Sequence, residues 1–251
     1  GYSGHSSYGH TFLMEQFILE LKPKIAIFLV GINEMGLTAR QPFDKSLDRT
    51  AMRTEELVTL VRSFLIKSEV AVLAINFYRW LKAAELEVTT GEVDLTTSAR
   101  VVLDENASNR IVTEHVEKYV PIYEERLRYL LQITERGGIF PIVLTHPMVF
   151  GSVKDPTTGL QLDDIEIHPR DGKTRWRVLQ EYNAASRRVA AESVALLVDL
   201  AQLLPKDSKY FYDDVHFTVE GSRKAAEVIF PAICNALRER FLEFFTAPCK
   251  S

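Results

Sequence analysis

Apolar residues first recur at helical spacing. Phe12, Leu13, Phe17, Ile18 and Leu21 share one face of a helix over residues 11–21, which Pro23 ends. The next segment, Lys24-Ile25-Ala26-Ile27-Phe28-Leu29-Val30, is a near-continuous apolar run closed by Gly31. Such a run predicts a strand covered on both faces, as in a parallel sheet. Runs from Ile139 to Thr145 and from Ala195 to Leu200 predict two more strands. Helical periodicity fills residues 44–87, with a break near Ser68. A long helix capped by Asn109 reaches Glu135 and stops at Gly137-Gly138, another runs from Thr174 to about Glu192, and a closing helix starts at Val219 with a kink at Pro231. The polar stretches 88–109, 147–172 and 205–217 read as loops, the first with a short strand at Arg100 to Leu103.

Strands alternating with helices imply right-handed crossovers and a mostly parallel sheet, hence an α/β fold. Three strands are few for a sheet buried on both faces, and no strand precedes the first helix, so a segment upstream of residue 1 is expected to complete the sheet. The 251 residues suit one large domain. The formal net charge of -4 comes from interspersed acids and bases, without the basic stripe that nucleic-acid binding requires. Cys234 and Cys249 lack metal-type spacing and read as a buried thiol and a tail residue. No run is long and apolar enough to cross a bilayer. The chain opens without a methionine, so a secreted or periplasmic location stays open.

Ligands of open parallel sheets bind beyond the carboxyl ends of the strands. After the first strand, Gly31 allows a sharp turn and Asn33 projects a carboxamide; Glu34 follows it. After the last strand, Asp213 stands three residues before His216, an offset at which a carboxylate can hold one imidazole nitrogen and leave the other as a base. Asp214 competes for that role, and the offset favours Asp213. His146, after the second predicted strand, could line the same crevice. The opening Gly1-Tyr2-Ser3-Gly4-His5-Ser6-Ser7 is a glycine-marked turn able to aim backbone N–H groups at an anion. No histidine has metal-ligand spacing, and neither a metal nor another cofactor is expected.

Taken in order, these segments resemble the SGNH (GDSL-like) hydrolases. Gly4 matches the glycine of the family's second block, with Gly1 as the alternative. Gly31-Ile32-Asn33 matches the third, with Glu34 where the family usually has Asp. Asp213-Asp214-Val215-His216 matches the last. Tyr182-Asn183, Val198-Asp199-Leu200 and His216 through Gly221 agree further. The resemblance implies a three-layer α/β/α, flavodoxin-like single domain with a helical cap inserted at about residues 44–136. It also implies an esterase or acyl hydrolase acting on a small or carbohydrate-linked ester, with His216 and Asp213 catalytic and Gly4 and Asn33 in the oxyanion hole. A carbohydrate O-acetyltransferase or deacetylase using the same triad, or a non-catalytic binding module, stays open. No Gly-Asp-Ser occurs in the chain, so the nucleophilic serine would lie upstream of residue 1 and this chain alone would be inactive. Ser3 lacks the Gly-x-Ser-x-Gly spacing. Phe64, Phe77, Tyr78 and Trp80 would give the cap an apolar pocket.

Overall fold

The computed structural model describes residues 5–40, 95–167, 170–244 and 249. By its contacts the chain divides into Gly1–Arg40 with Val93–Ser251, and Gln41–Glu92. Every described residue belongs to the first of these units.

Helix α1 (Ser7–Leu13) starts earlier than the periodicity predicts because the Ser6 hydroxyl accepts the Tyr8 N–H and so caps it. It continues through a π-helical turn at Met14–Ile18 to Leu19–Leu21. Lys22, in the left-handed region at φ 49°, then reverses the chain ahead of Pro23. Strand β1 (Ile25–Leu29) pairs in parallel with β2 (Phe140–Leu144). Within the predicted loop 147–172 lies a small antiparallel pair, β3 (Glu166–Ile167) and β4 (Arg170–Asp171). The short strand predicted at Arg100 to Leu103 reduces to a bridge from Arg100 to Ile165 beside it. Strand β5 (Leu196–Val198) pairs in parallel with β2, giving the order β1-β2-β5.

Strand β2 is buried throughout, and its side chains alternate between two cores. Phe140, Ile142 and Leu144 enter one with Leu196 and Val198, while Val143 enters the other with Phe28. Pro141 is tolerated in this central strand for a geometric reason. The Phe140 N–H points to β1, bonding Lys24, so the position of the missing Pro141 N–H faces the β5 side, where pairing begins only at Ile142.

Burial on both faces does not hold for β1. Phe28 is buried, whereas Ile27 is 55% and Leu29 38% exposed. Among the described residues no strand pairs with the outer edge of β1.

Helix α2 (Glu105–Glu114) passes through a π-helical turn at His115–Tyr119 into α3 (Val120–Arg136). Asp104, not Asn109, caps it, its carboxylate accepting the Ala107 N–H at 2.9 Å. Tyr123, Leu127, Leu130 and Leu131 of α3 are fully buried in the core beside β2. This half of the expected cap is therefore a structural layer of the domain. The other half, with Phe64, Phe77, Tyr78 and Trp80, lies outside the described residues.

Helix α4 (Gly172–Ala191) is capped by Asp171, which accepts the Thr174 N–H at 2.6 Å, and packs on the same face as α3. After the short α5 (Leu200–Leu203), α6 (Val219–Arg240) starts from a Thr218 cap, runs through Pro231 and covers the other face. Three layers result. Cys234 and Cys249, read from the sequence as unpaired, form a disulfide that ties the chain end to α6.

Candidate active site

The loop that follows α5 builds the best-defined polar constellation. Its stem is closed by antiparallel contacts: Phe211 bridges Phe217, and the Tyr212 N–H donates to the His216 carbonyl at 3.0 Å. Within it, one oxygen of Asp213 accepts the N–H groups of Val215 at 2.9 Å and His216 at 2.7 Å. This local turn aims the other oxygen at His216 Nδ1, 2.7 Å away. Partial burial pushes the Asp213 carboxyl upward, but the amides of His216 and Val215 and the imidazole outweigh it and hold its pKa below the ordinary value.

With Nδ1–H donating to Asp213, neutral His216 carries its free lone pair on Nε2. That nitrogen has no hydrogen-bond partner among the described residues, and the side chain is 56% exposed. Tyr212 stacks on the ring with centroids 5.5 Å apart. Asp214 points the other way into an ion pair with Arg175 at 2.6 Å, and its carbonyl receives the Val149 N–H. The two adjacent carboxylates thus have separate tasks: Asp213 orients the imidazole, and Asp214 anchors the loop.

At the carboxyl end of β1, Gly31 has φ 137°, a conformation that L side chains rarely adopt. The chain turns there into a 3-10 turn, Ile32–Glu34. Asn33 is exposed, and its Nδ2 donates to the carbonyl of His5 at 3.3 Å. Gly4 itself lies outside the described residues; its neighbour His5 is the group that meets Asn33.

Glu34 is 1% exposed and does not face the crevice. Its carboxylate accepts the Ser7 N–H, the Ser7 hydroxyl at 3.0 Å and the guanidinium of Arg126. Where the resemblance leads one to expect Asp, the longer Glu staples the Asn33 turn to the start of α1. A second tether is the Gly36 N–H, which donates to the Tyr182 hydroxyl at 3.2 Å.

His146 sits behind this turn, its Cβ 3.5 Å from where a Cβ on Gly31 would stand. The Asn183 carboxamide clamps its backbone, accepting the His146 N–H at 2.8 Å and donating to its carbonyl at 3.0 Å. Burial, reinforced by the charge of nearby His216, lowers the His146 pKa to about 4 despite its bond to the Pro147 carbonyl. It is neutral at physiological pH, with Nδ1–H donating to Pro147.

The structure therefore gathers Gly31, His146 and His216 at the carboxyl end of the sheet and ties Asn33 to the opening turn. Arg126 and the clamping role of Asn183 were not legible in the sequence. Both side chains lie on helices, where a polar residue on an inward face is the available signal, and α3 and α4 each carry several. No group of three or more His, Cys, Asp or Glu among the described residues could hold a metal ion.

Fold and site define an α/β protein with a parallel sheet and an Asp–His pair poised over its carboxyl end. No known family model and no curated protein sequence matches the chain. Among solved structures it is similar to a GDSL-like lipase from Parabacteroides merdae ATCC 43184, at 13% identity and TM-score 0.45 over 92% of this chain and 69% of that one. It is also similar to an acetylxylan esterase from Geobacillus stearothermophilus, at 17% identity and TM-score 0.46 over 92% of this chain and 68% of that one.

Proposed function

We propose that this chain carries the base, its orienting carboxylate and part of the oxyanion hole of an SGNH-type serine esterase acting on a small or carbohydrate-linked ester. The observation that carries the reading is the Asp213–His216 pair, held at 2.7 Å with Nε2 unengaged, on the carboxyl side of a parallel sheet. In this reading a serine from a segment upstream of Gly1 attacks the ester carbonyl. His216 Nε2 takes the serine proton and returns it to the departing alcohol, and Asp213 stabilises the imidazolium formed between those events. The Asn33 carboxamide and the Gly4 N–H donate to the developing oxyanion. The upstream segment pairs as a strand along the outer edge of β1. The exposed apolar side chains of Ile27 and Leu29 support that placement, since a covered sheet would bury them.

The test is hydrolysis of aryl acetates and of acetylated oligosaccharides by the gene product that includes the upstream segment. Turnover should fall to background in His216→Ala. Asn33→Ala should lower kcat by about 10²–10³-fold with little change in KM, as for loss of one oxyanion donor. Undiminished turnover in either variant excludes the reading. Activity on the acetylated oligosaccharides alone would make the enzyme a deacetylase.

A further inference from the structure

Asp213 fixes one atom of the His216 ring but not its plane. The contact from Nδ1 to Asp213 is 2.7 Å long, and turning the imidazole about that line carries Nε2 along an arc. Burial does not restrain the turn, because the His216 side chain is 56% exposed. A base must aim its lone pair at the proton it takes, since a misplacement of about 1 Å can lower the rate by about 10²-fold. Such aim calls for a second contact, on the face of the ring.

The stem of the loop supplies it. Phe211 bridges Phe217 in antiparallel register, the Tyr212 N–H donates to the His216 carbonyl, and the Thr218 N–H donates to that of Tyr210. In this register Tyr212 stands directly opposite His216. Alternation along the two arms sends Phe211 and Phe217 to one face, where their rings meet edge-on at 5.5 Å against the core. Tyr212 and His216 share the other face, as cross-strand neighbours do. There the two rings lie nearly parallel, 11° between planes with centroids 5.5 Å apart. Offset stacking is a favoured geometry for aromatic pairs. A cation within about 6 Å of a tyrosine centroid is also attracted by the electron-rich ring face, so the same stack suits an imidazolium.

We infer that Tyr212 is a positioning residue for His216: its ring fixes the plane of the imidazole and with it the direction in which Nε2 presents its lone pair. The consequence for turnover rests on the esterase reading above, whereas the hold on the ring does not. Asp213 sets the tautomer and Tyr212 the aim, both within residues 212–216.

The experiment compares Tyr212→Phe and Tyr212→Ala with the parent in two measurements. One is the hydrolysis of an aryl acetate. The other is NMR of isotope-labelled protein, in which three-bond couplings report the χ1 and χ2 angles of His216 and hydrogen exchange reports the Val215 and His216 amides bound to Asp213. Both variants keep the backbone bond from residue 212 to the His216 carbonyl. In Tyr212→Ala, kcat should fall about 10–100-fold with KM within about twofold of the parent. The His216 couplings should become averaged over rotamers while the two amides exchange as slowly as in the parent. Tyr212→Phe, which retains the ring face, should restore both kcat and the parent couplings. Tyr212→Thr, β-branched and suited to the antiparallel stem, takes the place of Tyr212→Ala if that variant fails to fold. Three outcomes overturn the proposal: unchanged His216 couplings in Tyr212→Ala, an equal loss in Tyr212→Phe, or amides that exchange faster together with the averaged ring, which would make Tyr212 a support of the loop alone. A parent without esterase activity would count against the function proposed above, and the couplings would still decide the role of Tyr212.

Discussion

Asp213 is the residue on which the proposed chemistry turns, because it selects the tautomer of His216 rather than reacting itself. Asp213→Asn keeps the size of the side chain and can still receive the Val215 and His216 amides through its carbonyl oxygen. Its NH₂ group would face Nδ1 as a donor, leaving the proton on Nε2 and the base disabled. We expect kcat for ester hydrolysis to fall by roughly 10⁴-fold while the melting temperature changes little, the outcome known for wrong-tautomer triads. Steady-state kinetics beside thermal unfolding would check both halves.

Asp213 shares its lowered pKa with Asp155 and Asp199. In each, partial burial works upward and is outweighed, by Thr158 and Ser208 hydrogen bonds at Asp155 and by Arg187 and Thr145 at Asp199. A carboxyl with its folded pKa below its unfolded one adds stability that is fully present above the unfolded value of about 3.9 and disappears as pH falls through the folded value. The stability of the protein should therefore be insensitive to these groups near neutrality and decline below about pH 4. Urea unfolding at pH 7, 4 and 3 measures the decline. Replacing Asp155 by Asn should make it shallower.

Among the elements, α6 depends on one close approach. A Cβ on Gly221 would stand 1.9 Å from the Tyr210 carbonyl oxygen, a backbone atom with no room to yield. The same carbonyl receives the Thr218 N–H, so the start of α6 and the Asp213–His216 loop are seated together. Gly221→Ala should destabilise the protein by about 1–3 kcal/mol, as overpacking does. It should also reduce turnover, because the helix cannot retreat without moving His216. Equal unfolding midpoints for the variant and the parent would refute this. The three parallel strands were legible because continuous apolar runs of strand length have few other uses, whereas the short β3–β4 pair lies in a polar stretch that reads as loop. Helix starts were less so: Ser6 and Asp104 cap α1 and α2 through single hydrogen bonds, and the apolar periodicity begins only further along. The open face of β1 was legible only in part: the shortage of strands pointed to an incomplete sheet, but an apolar run records that it is apolar and not what lies over it.

At the scale of the whole molecule, one sheet separates two cores, and the chain end is bound back to one of them by the Cys234–Cys249 disulfide, across a separation of 15 residues. Closing a loop of that length restrains the unfolded chain by about 3 kcal/mol. The double variant Cys234→Ser with Cys249→Ser should therefore unfold at lower denaturant, with the shape of the Asp213–His216 loop unaffected. Denaturation with and without reductant provides the measurement, and coincident curves would count against it. The pairing escaped the sequence because two cysteines 15 residues apart can be joined only if α6 ends and the chain doubles back, which spacing alone does not reveal.

What the chain determined through its residues alone is what short-range chemistry can encode. Apolar runs of strand length, glycine at the end of β1 and the three-residue offset of Asp213 and His216 each constrain only their own neighbourhood, and each can be read there. Tertiary structure decided the matters that require distant residues to meet. It assigned Asp214 to Arg175, turned Glu34 inward onto Ser7 and Arg126, and placed α3 in the core rather than in a cap. It also left Ile27 open to solvent. Each of these depends on which groups compete for a partner in the folded chain, and that competition does not exist until the layers are assembled.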